Sequence, residues 1–305
     1  MNKCQKIEVG STLGIICPAG YVRTKEEIDN FVKLLTDFGF NVKLGKSVFA
    51  KEGYLAGSDS LRANDVMEMF EDDEVAGILC YKGGYGCQRF LPLLDFEEIK
   101  KHPKLIMGFS DVTVLLNTIY QFSNIPTVHG EMGVCMQSYD EFTFNHFFNT
   151  LINGFDSPLI NPTKELTIIN EGVCEGVLVG GNLSLIYALM GTPYEIDLKN
   201  KILFIEDVGE DPYSVDRMLS SLTLSGKLNE LKGVICGYFT RCETSVNQTV
   251  DELLVHYFKP LNIPVVANFQ SGHNKPFINL PIGLNVRLDT TSKSVIVLES
   301  LFFDK

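Results

Sequence analysis

Four short segments carry residue types that could do chemistry. In Met107-Gly108-Phe109-Ser110-Asp111-Val112-Thr113, a serine stands where an apolar run gives way to an amphipathic one, two residues after a glycine. At a strand-to-helix turn the hydroxyl is lifted above the sheet edge. The first helical N–H groups then point toward whatever it attacks, which is where an oxyanion needs donors. A plain Ser or Asp N-cap has the same local chemistry. Val112 also stands where the hydrolase elbow G-x-S-x-G would end in glycine. The second segment, Tyr81-Lys82-Gly83-Gly84-Tyr85-Gly86, follows another apolar run. Its glycines allow a ligand close to the backbone, and Gly84 could offer a second N–H to an oxyanion; a flexible turn reads the same. It is neither a P-loop, since the lysine precedes the glycines, nor G-x-G-x-x-G.

The third segment, Phe204-Ile205-Glu206-Asp207-Val208-Gly209-Glu210, ends an apolar strand in acidic residues. Carboxylates there usually cap the next helix or face solvent, but a glutamate at the end of a strand is also placed to orient an imidazole. In the fourth, Ser271-Gly272-His273-Asn274-Lys275-Pro276, His273 lies among small residues and proline, as a surface histidine would. His129 and Glu131 are metal-ligand types without a third at helical spacing, and His102, His146 and His256 sit in charged or amphipathic stretches. No metal and no cofactor is expected.

The elements that must position these groups alternate. TLGIICPAG, NVKLG, VAGILCYK, KLIMGFS and PTVHG read as strands. Between them lie helices, one with Ile28, Phe31, Val32, Leu35 and Phe38 on one face, entered through Thr24 as N-cap with Glu27 completing a capping box. Others cover Leu61–Phe70 and DVTVLLNTIYQF. Such alternation implies right-handed crossovers and a mostly parallel sheet. GFDSPLINPTK then has no period and reads as a linker, centred on 156–164, between domains 1–155 and 165–305. Beyond it the order changes. Strands ELTIINEG and GVLVGG lead to a helix at Leu183–Met190 and strand KILFIEDV. A helix with Val215, Met218, Leu219 and Leu222 on one face follows, then GVICGYF, VDELLVHYF and PVVAN. LNVRLDTTSKSVIVLE alternates around a polar turn, as a hairpin does.

Composition excludes several classes. The 305 residues carry 26 Lys+Arg against 38 Asp+Glu, a net charge of −12, so phosphate backbones and anionic lipid are poor partners. The eight cysteines include no C-x-x-C pair, and several sit in apolar runs as small buried hydrophobes. No apolar run is long enough to span a bilayer and the N-terminus lacks an apolar leader, so a soluble cytoplasmic protein is expected.

Together these segments resemble the LD-carboxypeptidase family, the serine peptidase group S66, which includes muramoyltetrapeptide carboxypeptidases and microcin C immunity peptidases. The resemblance runs from IICPAG through YLAGSDSLRANDV, CYKGGYGCQRFLPLLD, IMGFSDVTVLLN, PTVHGEMG, GGNLSLIYALMGTPY and ILFIEDVGEDPYSVDRML to GHNKPFINLPIG. It implies an N-terminal Rossmann- or flavodoxin-like domain, a smaller C-terminal α/β domain, an active site in the groove between them, and a homodimer. It also implies Ser110 as nucleophile, Glu206 and His273 as its triad partners, and the backbone N–H groups of Asp111 and Gly84 as oxyanion donors. Three positions depart from the family's habit: Lys82 for arginine, Glu131 for proline, and Pro18-Ala19-Gly20 for Pro-Ser-Ser.

The activity implied is release of the terminal D-Ala from an L-Lys–D-Ala or meso-diaminopimelate–D-Ala bond in murein tetrapeptides during cell-wall recycling. Lys82 or Arg89 would meet the substrate carboxylate. Two other readings stand beside it: an immunity-type peptidase cleaving acyl-aminoacyl-adenylates, disfavoured by the lack of any Trp to stack an adenine, and a non-catalytic ligand-binding module.

Overall fold

The computed structural model describes residues 2–163, 166–243 and 248–303. The chain divides into two compact units. The first comprises Met1–Gly154, Asn279–Pro281 and Ser300–Lys305, and the second Phe155–Ile278 and Ile282–Glu299.

The first unit is built on strands β1 (Thr12–Ile16), β2 (Asn41–Leu44), β3 (Val75–Cys80), β4 (Leu105–Gly108) and β5 (Thr127–His129). They lie in the order β5-β4-β3-β1-β2, all parallel to their neighbours. This is the flavodoxin-like order, with its topological switch point between β1 and β3. Because the strands are parallel, the loops after β1, β3 and β4 leave the same sheet edge. Those loops are Pro18–Gly20, Tyr81–Gly86 and Phe109–Val112. β3 and β4 are buried along their whole length, as strands covered on both faces must be. Helix Lys25–Asp37 turns Ile28, Phe31 and Leu35 into the core. Its N-cap is Thr24, which accepts the Glu27 N–H at 3.3 Å. The reciprocal half of the capping box is displaced by one residue, since the Glu27 carboxylate accepts from the Arg23 N–H.

Among the described residues the second unit holds eight strands: β6 (Leu159–Ile160), β7 (Thr167–Asn170), β8 (Val173–Asn182), β9 (Lys201–Val208), β10 (Gly233–Thr240), β11 (Val265–Ala267), β13 (Asn285–Asp289) and β14 (Ser294–Val297). Their order is β6-β14-β13-β8-β9-β10-β11-β7. The four central strands β8 to β11 are parallel, while β13, β14, β6 and β7 pair antiparallel at the flanks. The expected hairpin is β13–β14.

Two features lie outside the expected division at a single linker. The segment 156–164 carries strand β6 on β14, and its last residue, 164, lies outside the described residues together with 165. The chain also comes back to the first sheet: β12 (Leu280–Ile282) adds to it beside β5. Asn279, 1% exposed, anchors that return. Its Nδ2 donates to Thr150 Oγ1 at 3.0 Å, and its Oδ1 accepts the Glu131 N–H at 3.2 Å. A proline at 131 could not make that donation. Helix Glu141–Asn153, which supplies Thr150, also has no counterpart in the sequence reading. Among the described residues no helix is long and apolar enough to cross a membrane.

Candidate active site

In the first unit, β4 ends at Gly108 and Phe109 is fully extended, with φ −152° and ψ −169°. Ser110 then turns the chain with φ 63° into a short 3-10 turn, Ser110–Val112, that leads into helix Thr113–Thr118. A non-glycine residue in this left-handed region costs about 1–2 kcal/mol, and such strain is characteristic of a nucleophile held up on an elbow. Gly108 makes the turn possible: a Cβ there would lie 2.9 Å from Cys80 Cβ and 3.0 Å from Val112 Cγ1. The glycine that ends the usual elbow is replaced by Val112, which packs over Gly108.

Asp111 is buried, and its Oδ2 accepts the Cys87 N–H at 2.8 Å. Burial raises its pKa, opposed by the N–H groups of Cys87 and Gly86 and by the Arg62 charge. The carboxylate therefore ties the serine turn to the glycine loop after β3. That loop presses against the serine, since a Cβ on Gly83 would lie 3.1 Å from Ser110 Oγ. Lys82 Nζ donates to Tyr21 O at 3.1 Å and sits 5.4 Å from the centre of the Tyr21 ring. Arg89 is held by Asp59, with Nη2 3.0 Å from Oδ2.

In the second unit, Glu206 and Asp207 end β9 and both are buried, at 0% and 1% exposure. Glu206 Oε2 lies 2.7 Å from His273 Nδ1. Its Oε1 accepts from Asn182 Nδ2 at 3.3 Å, and the same amide donates to Asp207 Oδ1 at 3.0 Å. Asn182 stands directly opposite Glu206 in the β8–β9 ladder, which is why one amide reaches both carboxylates. Asp207 also accepts the Ser184 and Val208 N–H groups, each at 2.8 Å. Burial, and then the Glu206 charge, push the Asp207 pKa up to about 6 against those donors.

His273 owes its place to an irregularity in β10. The β9–β10 register shifts between Cys236 and Phe239. Tyr238 N–H thereby leaves the ladder and donates to Ser271 O at 3.1 Å. Gly237 lets that carbonyl approach, for a Cβ there would lie 2.3 Å from Ser271 O. The loop 271–274 is thus laid across the end of β10 and hands His273 to Glu206, with the imidazole 18% exposed. His273 is therefore a partly covered residue with a buried partner, not the open surface histidine that its neighbours in the chain suggest.

The sequence reading did not single out Asn182, Asp207 or Arg62. Asn182 and Arg62 lie inside segments that carry the family resemblance, but nothing in their local pattern marks them. Among the described residues no group of three or more His, Cys, Asp or Glu is placed to hold a metal ion.

The fold and these groups define a two-sheet α/β protein bearing a strained serine on one unit and a buried carboxylate–imidazole pair on the other. Comparison with known proteins gives the family. The LD-carboxypeptidase N-terminal domain matches residues 13–130, and the LD-carboxypeptidase C-terminal domain matches residues 175–288. A probable murein peptide carboxypeptidase of Bacillus subtilis is 36% identical over 301 residues, covering 97% of this chain and 94% of that protein. The crystal structure of a muramoyltetrapeptide carboxypeptidase from Oxalobacter formigenes superposes with a TM-score of 0.82 at 29% identity, over 93% of this chain and 97% of that one. An MccF-like protein from Bacillus anthracis gives a TM-score of 0.88 at 27% identity, over 98% of this chain and 100% of that one. The chain belongs to the LD-carboxypeptidase family, the S66 serine peptidases.

Proposed function

We propose that this protein is a serine LD-carboxypeptidase that releases the terminal D-Ala from L-Lys–D-Ala or meso-diaminopimelate–D-Ala bonds of murein tetrapeptides. Ser110 Oγ attacks the amide carbonyl while His273 Nε2 takes its proton. Glu206 fixes the imidazole through Nδ1 and stabilises the imidazolium. The N–H groups of Asp111 and Gly84 receive the oxyanion. The tetrahedral adduct then collapses, His273 returns the proton to the departing D-Ala amine, and water releases the acyl group by the same route. The mechanism requires the Ser110 hydroxyl to come within hydrogen-bond reach of His273 Nε2. Lys82 serves as the cation for the substrate carboxylate. Arg89, with its charge already matched by Asp59, contributes less.

The observation that carries this reading is the 2.7 Å contact between a fully buried glutamate and a histidine whose ring is otherwise partly open. Such a pair is built to hold an imidazolium. The eight free cysteines, as expected in a reducing compartment, support a cytoplasmic location, and we take the active form to be a homodimer, testable by sedimentation. Incubation with UDP-MurNAc-tetrapeptide and with free tetrapeptide, followed by assay of D-Ala, tests the function; no release from either by folded protein removes it. The likeness to an MccF-like protein supports a second reading, hydrolysis of an acyl-aminoacyl-adenylate. Turnover of aspartyl sulfamoyl adenylate without D-Ala release would favour it.

A further inference from the structure

Arg62 is 0% exposed, although helix Asp59–Glu71 has an open face on which an arginine could lie in water. Its Nη1 donates to Pro18 O at 2.7 Å and to Gly86 O at 2.9 Å, and its Nε donates to Gly57 O at 3.3 Å. Nη2 pairs with Asp59, and the guanidinium lies 5.2 Å from the Phe90 ring centre. An apolar side chain of similar volume would fill this space without the desolvation penalty of a buried charge. What the guanidinium adds is a rigid planar fork that can hold several carbonyls at fixed angles. Those carbonyls belong to the loop after β1, the loop before helix Asp59–Glu71, and the loop after β3.

The two outer loops meet at one further bond. Gly20 N–H donates to Gly83 O at 3.0 Å. In a planar trans peptide the C=O and the following N–H point in opposite directions. Holding Gly83 O toward Gly20 therefore turns Gly84 N–H away from it. A Gly-Gly peptide meets little steric resistance to reorientation, so its direction depends on what grips it. The far end of the loop is gripped as well, with Gly86 O on Arg62 and Cys87 N–H on Asp111.

We propose that Arg62 is a positioning residue for the oxyanion site: by joining the loops after β1 and β3 it keeps the Gly20–Gly83 bond in register and so fixes the direction of the Gly84 N–H. This rests on the reading of Ser110 as nucleophile and of Gly84 as oxyanion donor.

The test compares Arg62→Lys, Arg62→Ala and Gly20→Ala with the native enzyme. Gly20→Ala leaves Arg62 in place but sets a Cβ 2.7 Å from Gly83 O, displacing the same peptide. D-Ala release is measured alongside binding of a peptidyl boronic acid, which forms a tetrahedral adduct on serine, and binding of the tripeptide product. Loss of one oriented oxyanion donor lowers kcat by about 10²–10³-fold. The expected result is a kcat loss of that order with KM and tripeptide affinity unchanged, and a parallel loss of boronate affinity. Millimolar guanidinium should restore Arg62→Ala, where methylammonium does not. Unchanged kcat in folded variants overturns the proposal, as does loss of kcat, tripeptide affinity and thermal stability together without rescue. If neither Arg62 variant folds, Gly20→Ala decides: a loss confined to kcat and boronate supports it, and native kcat overturns it. Native enzyme that releases no D-Ala and forms no boronate adduct removes the Ser110 assignment, and the positioning role with it. That failure is read on the native protein alone.

Discussion

Replacing Glu206 by glutamine removes one charge and almost no volume, so it isolates the electrostatic role of the buried carboxylate. In the native arrangement Oε2 faces His273 Nδ1 at 2.7 Å and Oε1 accepts from Asn182. Charge centres about 4 Å apart attract by about 4 kcal/mol at an effective dielectric constant near 20. That is the stabilisation an imidazolium loses when its partner becomes neutral, and at 1.36 kcal/mol per decade it corresponds to about 10³ in rate. A second loss adds to it. The glutamine has one carbonyl oxygen for two donors, Asn182 Nδ2 and His273 Nδ1. When the oxygen takes Asn182, the amide NH₂ faces Nδ1 and holds the proton on Nε2, the tautomer that cannot accept from serine. The expected fall in kcat/KM for D-Ala release is therefore about 10³–10⁴-fold. Stability should be unchanged or raised, because a buried charge beside Asp207 has gone. Steady-state assay of D-Ala with a parallel thermal melt reads both. A loss of less than about tenfold in a folded variant would refute the electrostatic argument.

Other outcomes follow from single observations. Asp207 has its pKa raised to about 6 from 3.8, so its ionisation opposes folding: the penalty is absent below pH 4 and complete above about pH 6. The stability of Asp207→Asn relative to the native protein should thus rise with pH across that window, by about 3 kcal/mol at 1.36 kcal/mol per unit; a flat difference in urea titrations contradicts the assignment. Ser110→Gly and Ser110→Ala should both be inactive, but the glycine variant should be about 1 kcal/mol the more stable, because only glycine holds the 63° φ without strain. Equal denaturation midpoints would place the strain elsewhere. Asn279→Ala removes the acceptor of the buried Glu131 N–H and one donor to the Thr150 hydroxyl, which still donates to His146 O, and should cost about 1–3 kcal/mol by urea denaturation.

The parts legible along the chain are those written in local periods. Apolar runs separated by amphipathic stretches locate β1, β3, β4, β9 and β10, and the alternation of strand and helix implies the parallel order of the first sheet. Of the three-residue strands, β5 and β11 are read as PTVHG and PVVAN, but Leu280–Ile282 is not. Pro281 at its centre argues against a strand, and the Asn279 side chain that anchors it acts on residues some 130 to 150 positions earlier. Helix Glu141–Asn153 was hidden for another reason: aromatic residues at Phe142, Phe144, Phe147 and Phe148 spread around it and blur a single apolar face.

Residue types and their order along the chain made the family resemblance readable, and through it the serine, glutamate and histidine proposed for acyl transfer, because chemical identities survive without coordinates. Tertiary structure decided what surrounds them. It set the Asn182 amide across two carboxylates, the β10 irregularity that carries His273 to Glu206, and the buried guanidinium that joins three loops. Those relations depend on atoms brought within 3 Å or so across spans of 24, 67 and 44 residues. A sequence period reports only which face of an element is apolar. It holds no record of which carbonyl a distant side chain will meet once the elements have packed.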